Sequence, residues 1–170
     1  MKTLLIGAGT RRTKIIQPDG SPDWGDLTTL DINPDHGVDV VWDLEQLPLP
    51  FGDEQFDEIH AYEVLEHTGQ QGDYRFFFTQ FADFWRILKP DGLLCASCPA
   101  PGSPWVWGDP SHTRAISPQN LIFLNQQTYV DQVGKTAISD FRYIYKANFE
   151  VAYQEIKDGT FLFVLAKRPQ

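Results

Sequence analysis

The chain has 170 residues, 42% hydrophobic and 22% charged, which is typical of one globular domain spanning residues 1–170. Its net charge of −9 disfavours a long nucleic-acid partner, because such partners are bound mainly through phosphate neutralisation by basic side chains. No apolar run approaches transmembrane length and no charged-then-apolar leader opens the sequence, so we expect a soluble, cytoplasmic protein without membrane contact.

The first predicted strand, Thr3 to Ile6, runs into a glycine turn made by residues 7–10, GAGT. Glycine lacks a Cβ atom and therefore lets a ligand approach the backbone closely. Arg11 follows where a full dinucleotide fingerprint has a further glycine, and residues 15–26 are too rich in Pro, Gly and Asp for a long helix. A site for the pyrophosphate of NAD is therefore disfavoured.

Three further segments predict a strand that hands over to acidic side chains. Leu27 to Leu30 ends at Asp31, residues 38–42 end at Asp43, and residues 56–62 lead to Glu63 and Glu66. Ligands of open α/β sheets bind beyond the carboxyl ends of the strands, so these acids outline one nucleotide pocket. Asp31, about twenty residues beyond the glycine turn, is placed to bind a ribose; its other interpretation is a turn former. The connections are short, which predicts a sheet without helices on one face.

The clearest predicted helix runs from Asp73 to Leu88, with an apolar stripe that we interpret as core. The stripe consists of Phe77, Phe81, Phe84 and Leu88. A buried strand, Leu93 to Cys98, follows, and Ser117-Pro118 opens a second helix through about Gln127.

The C-terminal segment predicts an antiparallel hairpin. Its strands are Phe149 to Ile156 and Phe161 to Lys167, joined at Asp158-Gly159, a strong hairpin turn. An antiparallel hairpin that ends a parallel sheet is a distinctive α/β architecture.

The order of GAGT, Asp31, WDLEQLPLPFGDEQFDEIHAYEVLEH, RILKPDG and ANFEV resembles class I S-adenosylmethionine-dependent methyltransferases over nearly the whole chain. The resemblance implies a Rossmann-like α/β sheet of seven strands, mostly parallel, with several helices shortened or missing. It implies S-adenosylmethionine as cofactor. Gly7 and Gly9 would lie under its methionine part, Asp31 would bind its ribose, and Asp43 with Leu44 would hold its adenine.

Two further side chains are candidates for the site. Tyr62, at the end of the fourth strand, falls where the family contacts the cofactor from below. His112, in the loop after the fifth strand, is a candidate catalytic base that Asp109 could orient. For His67 we favour a structural hydrogen bond over a catalytic role.

The acceptor is expected to be a small molecule. The segment after the fourth strand has no Asp/Asn-Pro-Pro-aromatic motif, and Cys98-Pro99 reverses the Pro-Cys of cytosine methylases. Trp105 and Trp107 would form an apolar roof over the acceptor. Cys95 and Cys98 form a single CxxC in a predicted buried strand, which is weak as a metal motif, so we expect core cysteines and no metal site.

Departures from the family pattern motivate two other hypotheses. Leu5 and Arg11 stand where similar proteins carry an acid and a glycine, and a helix before the first strand has no counterpart. One side of the cofactor site would then be open or covered by a second copy of the chain. A non-catalytic module that binds S-adenosylmethionine or S-adenosylhomocysteine, or depends on a partner, is the alternative. A nucleotide-linked oxidoreductase is the third, and it makes no use of Asp43.

Overall fold

The structure is a computed structural model that describes residues 1–170, built around one seven-stranded sheet. The strands are β1 (Lys2–Ile6), β2 (Asp26–Asp31), β3 (Val40–Val41), β4 (Phe56–Tyr62), β5 (Leu88–Pro99), β6 (Phe149–Lys157) and β7 (Thr160–Lys167). Their order is β3-β2-β1-β4-β5-β7-β6, and the first five pair in parallel. β7 runs antiparallel to both β5 and β6. The predicted α/β sheet with an antiparallel C-terminal hairpin is confirmed.

The hairpin turn between β6 and β7 is the predicted pair Asp158-Gly159. Their φ angles are 51° and 80°, as a two-residue turn with both residues at positive φ requires. One face of β7 contributes Phe161, Phe163 and Leu165 to the main core. The hairpin therefore closes one end of the sheet and supplies aromatic core at the same time.

The helices are few and lie mostly in the second half of the chain. They are α1 (Tyr74–Ile87), α2 (Trp105–Gly108), α3 (Pro118–Leu121) and α4 (Gln126–Gln132), with 3-10 turns at Pro34–His36, Leu65–His67 and Ile122–Leu124. The connections from β1 to β2 and from β3 to β4 contain no helix, and that from β2 to β3 has only one 3-10 turn. The prediction that several helices are shortened or missing is confirmed for these connections.

Helix α1 covers the main core and matches its prediction closely. The Asp73 side chain caps it by accepting from the Phe76 N–H at 3.0 Å, and Phe78, Phe81 and Phe84 are buried beneath it. The helix ends at Ile87 because the chain enters β5 directly, earlier than the predicted strand start.

The helix predicted from Ser117 to Gln127 is divided into two. Ser117 caps α3 in a capping box with Asn120, but α3 ends after one turn. The Asn125 side chain accepts from the Thr128 N–H at 3.1 Å and begins α4. A second capping residue inside the apolar stretch, in an extended conformation, therefore ends one helix and begins another.

The second face of the sheet is covered by irregular chain instead of a helix. Lys14, from the segment between β1 and β2, is buried, and its Nζ lies 3.4 Å from Glu58 Oε2 on β4. Glu58 is 2.8 Å from His60 Nε2, and His60 Nδ1 is 2.6 Å from the Tyr62 hydroxyl. That hydroxyl accepts from the Ile16 N–H at 2.9 Å. We call Lys14, Glu58, His60 and Tyr62 the second-face network.

Candidate active site

A cavity of about 640 Å³ opens at the carboxyl ends of β1, β2 and β4, where the sequence predicts the pocket. Five of the predicted cofactor residues line it together: Gly7, Gly9, Asp31, Asp43 and Leu44. Glu63, one of the acids that the sequence places at this pocket, also lines it, whereas the remaining lining residues have no sequence prediction for the cofactor: Ile32, His36, Trp42, Glu45, Val64, His67 and Thr68. Ile32 directly follows the predicted acid Asp31, but no local pattern in the sequence marks the others as parts of one surface.

The glycine turn after β1 forms the floor of the cavity. Gly7 and Gly9 have φ angles of 60° and 51°, in the left-handed region that favours glycine. A Cβ atom on Gly7 would overlap Val64 Cγ2, whereas one on Gly9 would meet nothing within 4 Å. Gly7 is therefore required for packing, and Gly9 leaves open space towards the cavity.

Asp31 is fixed at the end of β2 by backbone hydrogen bonds. Its Oδ2 accepts from the Gly9 N–H at 2.9 Å and its Oδ1 from the Asn33 N–H at 2.8 Å. Burial alone would raise the pKa of Asp31, but these bonds and nearby His36 hold the pKa below its ordinary value. The carboxylate stays ionised, and each oxygen keeps acceptor capacity for a ligand hydroxyl.

The loop after β3 forms the opposite wall. Asp43 Oδ1 accepts from the Glu45 N–H at 2.9 Å, which fixes the turn that presents buried Leu44. Glu45 Oε1 accepts from the Gly69 N–H at 2.7 Å and so joins this loop to the one after β4. With Trp42, the loop combines an apolar wall with carboxylates at its rim.

The acids after β4 differ in their surroundings. Glu63 lines the cavity, and its Oε1 accepts from the Ser97 hydroxyl at 2.8 Å. Glu66 is buried, and neither of its carboxylate oxygens has a hydrogen-bond partner. Burial raises the pKa of Glu66 to about 8; Glu63 and Asp109 reinforce the rise, and its own N–H and Arg114 oppose it.

Tyr62 and His112 do not line this cavity. The Tyr62 hydroxyl points to the second face of the sheet, where it bonds to the Ile16 backbone, and burial raises its pKa. His112 lies behind His67, with ring centroids 4.6 Å apart, and its Nε2 is 3.9 Å from Glu66 Oε1. The Asp109 carboxylate accepts from Ser111 and not from the His112 ring, and only the His112 backbone N–H donates to Asp109, at its carbonyl oxygen.

A second cavity, of about 270 Å³, adjoins the loop after β4. Tyr74, Phe77, Phe78, Phe123 and Phe141 give it an aromatic lining. Arg114 also lines it and donates to Thr68, a residue of the first cavity, at 3.0 Å, so these two side chains connect the walls of the cavities.

The two tryptophans expected over the acceptor are exposed to solvent. Trp105 and Trp107 are 67% and 61% exposed, and neither lines either cavity. Cys95 and Cys98 are buried free thiols, as predicted for core residues. None of the helices is long and apolar enough to span a membrane.

Comparisons with known proteins match the chain by sequence profile and by fold. The family described as "Methyltransferase domain" matches residues 7–96, more than half of the chain. A search of curated proteins found no significant match.

Three solved structures share the fold at low sequence identity. A SAM-dependent methyltransferase from Archaeoglobus fulgidus is 15% identical, with 98% of this chain and 86% of that chain covered and a TM-score of 0.58. A SAM-dependent methyltransferase from Methanosarcina mazei is 15% identical, with 99% and 93% covered and a TM-score of 0.57. The N-methyltransferase NodS from Bradyrhizobium japonicum, in complex with S-adenosyl-L-homocysteine, is 15% identical, with 99% and 78% covered and a TM-score of 0.57.

Proposed function

The chain belongs to the class I S-adenosylmethionine-dependent methyltransferases, and from that premise we propose that it transfers a methyl group from S-adenosylmethionine to a small-molecule acceptor. The observation that carries the proposal is the pair formed by the Gly9 N–H and the Asp31 carboxylate at the strand ends. Through this pair, an ionised carboxylate that can accept hydrogen bonds is fixed at the floor of a cavity large enough for a nucleoside. Asp31 would bind the two ribose hydroxyls, with Gly7 and Gly9 under the methionine part.

The adenine would lie at the wall formed by the loop after β3. Leu44 supplies a buried apolar surface there, and Ile32 and Trp42 add apolar area. Asp43, whose other carboxylate oxygen is free of the turn hydrogen bond, would accept from the adenine amino group. Tyr62 is not assigned a cofactor contact, because its hydroxyl faces the second-face network.

The charge of the cavity supports a cationic cofactor over a dinucleotide. Four carboxylates line it, from Asp31, Asp43, Glu45 and Glu63, and no lysine or arginine does. A sulfonium and an ammonium group are favoured by such surroundings, whereas a pyrophosphate would be repelled. The oxidoreductase hypothesis is therefore the weaker one.

The reaction needs positioning more than it needs a protein nucleophile. A lone pair of the acceptor attacks the methyl carbon, the carbon–sulfur bond breaks, and its electron pair stays on sulfur as a neutral thioether. The protein would contribute by holding both partners in line and by excluding water. The aromatic cavity beside Thr68 and Arg114 suits a small acceptor with an apolar body.

The first test is calorimetric titration of the purified chain with S-adenosylmethionine, S-adenosylhomocysteine and NAD. We expect binding of the first two and none of NAD. Asp31→Ala should weaken binding roughly 10- to 150-fold, because a lost charge-assisted hydrogen-bond pair costs about 1.5–3 kcal/mol. The matched control is Asp35→Ala, an exposed aspartate on the same loop, which should bind as the native chain does.

Two outcomes would contradict this assignment. Equal affinity of Asp31→Ala and the native chain would remove the ribose role, and binding of NAD would favour the oxidoreductase. Tight binding without methyl consumption over a panel of small acceptors would favour the non-catalytic module. That module is consistent with Leu5, whose buried apolar side chain replaces the family's acid.

A further inference from the structure

The carboxylate of Glu66 is the least satisfied buried group near the cavity. The residue is only 2% exposed, and neither carboxylate oxygen has a hydrogen-bond partner. Buried polar groups are almost always paired, and an unpaired buried carboxylate is costly. Arg114 does not pair with it, because its N–H groups donate to the Leu65 carbonyl, Thr68 and Gln80. Glu66 is therefore a buried group whose hydrogen-bonding capacity the chain itself does not satisfy.

The neighbouring His67 is held in one tautomer. The Ser111 hydroxyl donates its single hydrogen to Asp109 Oδ1 at 2.5 Å, so Ser111 Oγ can only accept from His67 Nδ1, 3.0 Å away. His67 Nδ1 must then carry the proton. Its Nε2 keeps a lone pair that is free to bind a cation.

His112 is held in the same tautomer by a different route. Its Nδ1 lies 2.8 Å from the Trp105 carbonyl oxygen and 3.2 Å from that of Val106. Carbonyl oxygens only accept, so Nδ1 carries the proton and Nε2 keeps its lone pair. That Nε2 lies 3.9 Å from Glu66 Oε1. Ligating histidines typically show this arrangement, with the second nitrogen donating to an oxygen.

We propose that Glu66, His67 and His112 bind a divalent cation of the first transition row, such as Zn²⁺, beside the cofactor cavity. One possible ligand atom from each residue lies within 4.8 Å of the others. Two ligands of a tetrahedral ion, each about 2.1 Å from it, lie about 3.4 Å apart, so side-chain rotations must bring the widest pair closer by up to roughly 1.4 Å. Two imidazoles and one carboxylate suit zinc or iron better than magnesium.

The wider surroundings also favour a cation. The Asp109 carboxylate accepts from the Ser111 hydroxyl, whose oxygen lies 3.0 Å from His67 Nδ1, so a further acidic group stands next to the ligand set. A bound cation would give the Glu66 carboxylate the partner that it lacks. The sequence predicts no metal site, since His112 lies more than forty residues after Glu66 and His67 and meets them only in the fold.

The proposed ion would have open coordination positions, because the chain supplies only three ligands. His67 also lines the cofactor cavity, so the ion would lie beside the place where methyl transfer is proposed. This step rests on the proposed function: an acceptor hydroxyl bound to the ion would lose its proton to water more readily. The resulting oxygen lone pair would attack the sulfonium methyl carbon, and the carbon–sulfur electron pair would stay on sulfur. The acceptor class is thus a small molecule with an oxygen nucleophile.

The test is titration of the metal-free full chain with Zn²⁺, and with Co²⁺ for its visible absorption as a spectroscopic readout. We expect one cation per chain and a rise in thermal stability on binding. Glu66→Gln keeps the shape of the side chain and should weaken binding at least about tenfold, the lower range for losing even an outer partner of a metal ligand. His112→Ala should do the same and alter the Co²⁺ spectrum. His36→Asn is the control, because His36 lies beside Asp31, 3.2 Å from its carboxylate, and outside the proposed ligand set, so cation affinity should be unchanged.

Absence of cation binding up to millimolar concentration, or equal binding by Glu66→Gln, would overturn the proposal. Circular dichroism of each variant distinguishes a lost ligand from a lost fold. S-adenosylhomocysteine is titrated into the same samples. If the chain binds S-adenosylhomocysteine but does not bind Zn²⁺, the metal site alone is rejected. If it binds Zn²⁺ but does not bind S-adenosylhomocysteine, the proposed cofactor is rejected.

Discussion

Gly7 is the residue at which the cavity floor has the least room. Its φ of 60° disfavours any other residue, and a Cβ atom would overlap Val64, which lines the cavity. We predict that Gly7→Ala lowers the free energy of unfolding by about 2–4 kcal/mol, the sum of a strained backbone and an overpacked contact. Urea denaturation of the two proteins measures this difference.

The control for Gly7→Ala is Gly20→Ala. Gly20 has a φ of 74°, but a Cβ atom there would meet nothing within 4 Å. This variant should show only the backbone cost, about 1 kcal/mol. Equal destabilisation by both substitutions would mean that Val64 yields and that the close approach at the cavity floor is not needed.

Single residues were predictable where one backbone rule decides their place. Gly7, Gly9 and Asp31 follow from a glycine turn and a strand end, and all three line the cavity. Tyr62 alternates with Ile59 and Ala61 of the core, and its side chain therefore lies on the second face. Sequence alternation pairs Tyr62 with His60, but it does not tell which face a cofactor touches.

Contacts between distant residues were not predictable. Glu66 and His112 meet because the loop after β5 folds back, and the Thr113 N–H donates to the Glu66 carbonyl oxygen at 2.9 Å. No local spacing encodes that return. The unpaired carboxylate becomes visible only once its neighbours are in place.

At the scale of elements, the N-terminus of α1 depends on one side chain. Asp73 accepts from the Phe76 N–H, which otherwise has no partner within the first turn. We predict that Asp73→Ala lowers the free energy of unfolding by about 1 kcal/mol. Asp73→Asn should keep most of the native free energy of unfolding, since asparagine caps a helix about as well as aspartate. Thermal or urea unfolding of the three proteins measures the difference. Equal loss in both variants would point to the charge rather than to the cap.

The bounds of a helix were predictable from the sequence where a capping residue and a periodic apolar stripe were both present. Helix α1 has a cap and a stripe at helical period, and the structure has it within one residue of the prediction at each end. The predicted helix after Ser117 contains Asn125, whose side chain caps a new helix instead of continuing the old one. The short connections in the first half left no room for helices, which is a matter of chain length alone.

The whole molecule is a sheet with unequal faces. Helix α1 and aromatic residues cover one face, and the chain between β1 and β2 covers part of the other without forming a helix. The second-face network provides hydrogen bonds there instead of apolar helix packing. Lys14 is its cation, and Trp24 packs edge-on against His60 with ring centroids 4.9 Å apart. Attachment of this segment to the sheet therefore depends on ionisable groups.

Because of this network, the free energy of unfolding should vary with pH in the mildly acidic range. Burial lowers the pKa of His60 below its ordinary value of 6.5, although Glu58 opposes the shift. The unfolded chain then takes up the proton more readily than the folded protein does. The stabilisation is full above pH 6.5 and is lost as the pH falls through the lowered pKa, at about 1.4 kcal/mol for each unit of lowering.

Glu58 adds a second loss at lower pH. Burial alone would raise its pKa, but hydrogen bonding and charge from His60 and Lys14 hold it below its ordinary 4.5. His60→Gln separates the two effects, because glutamine can bond to Glu58 and Tyr62 but does not titrate. Between neutral pH and about pH 5, the native chain should lose free energy of unfolding relative to His60→Gln, measured by urea denaturation at each pH, because the other groups, including Glu66 with its raised pKa, titrate alike in both proteins. Parallel curves for the two proteins would mean that His60 does not titrate with unfolding and that the second face is held by apolar contacts after all.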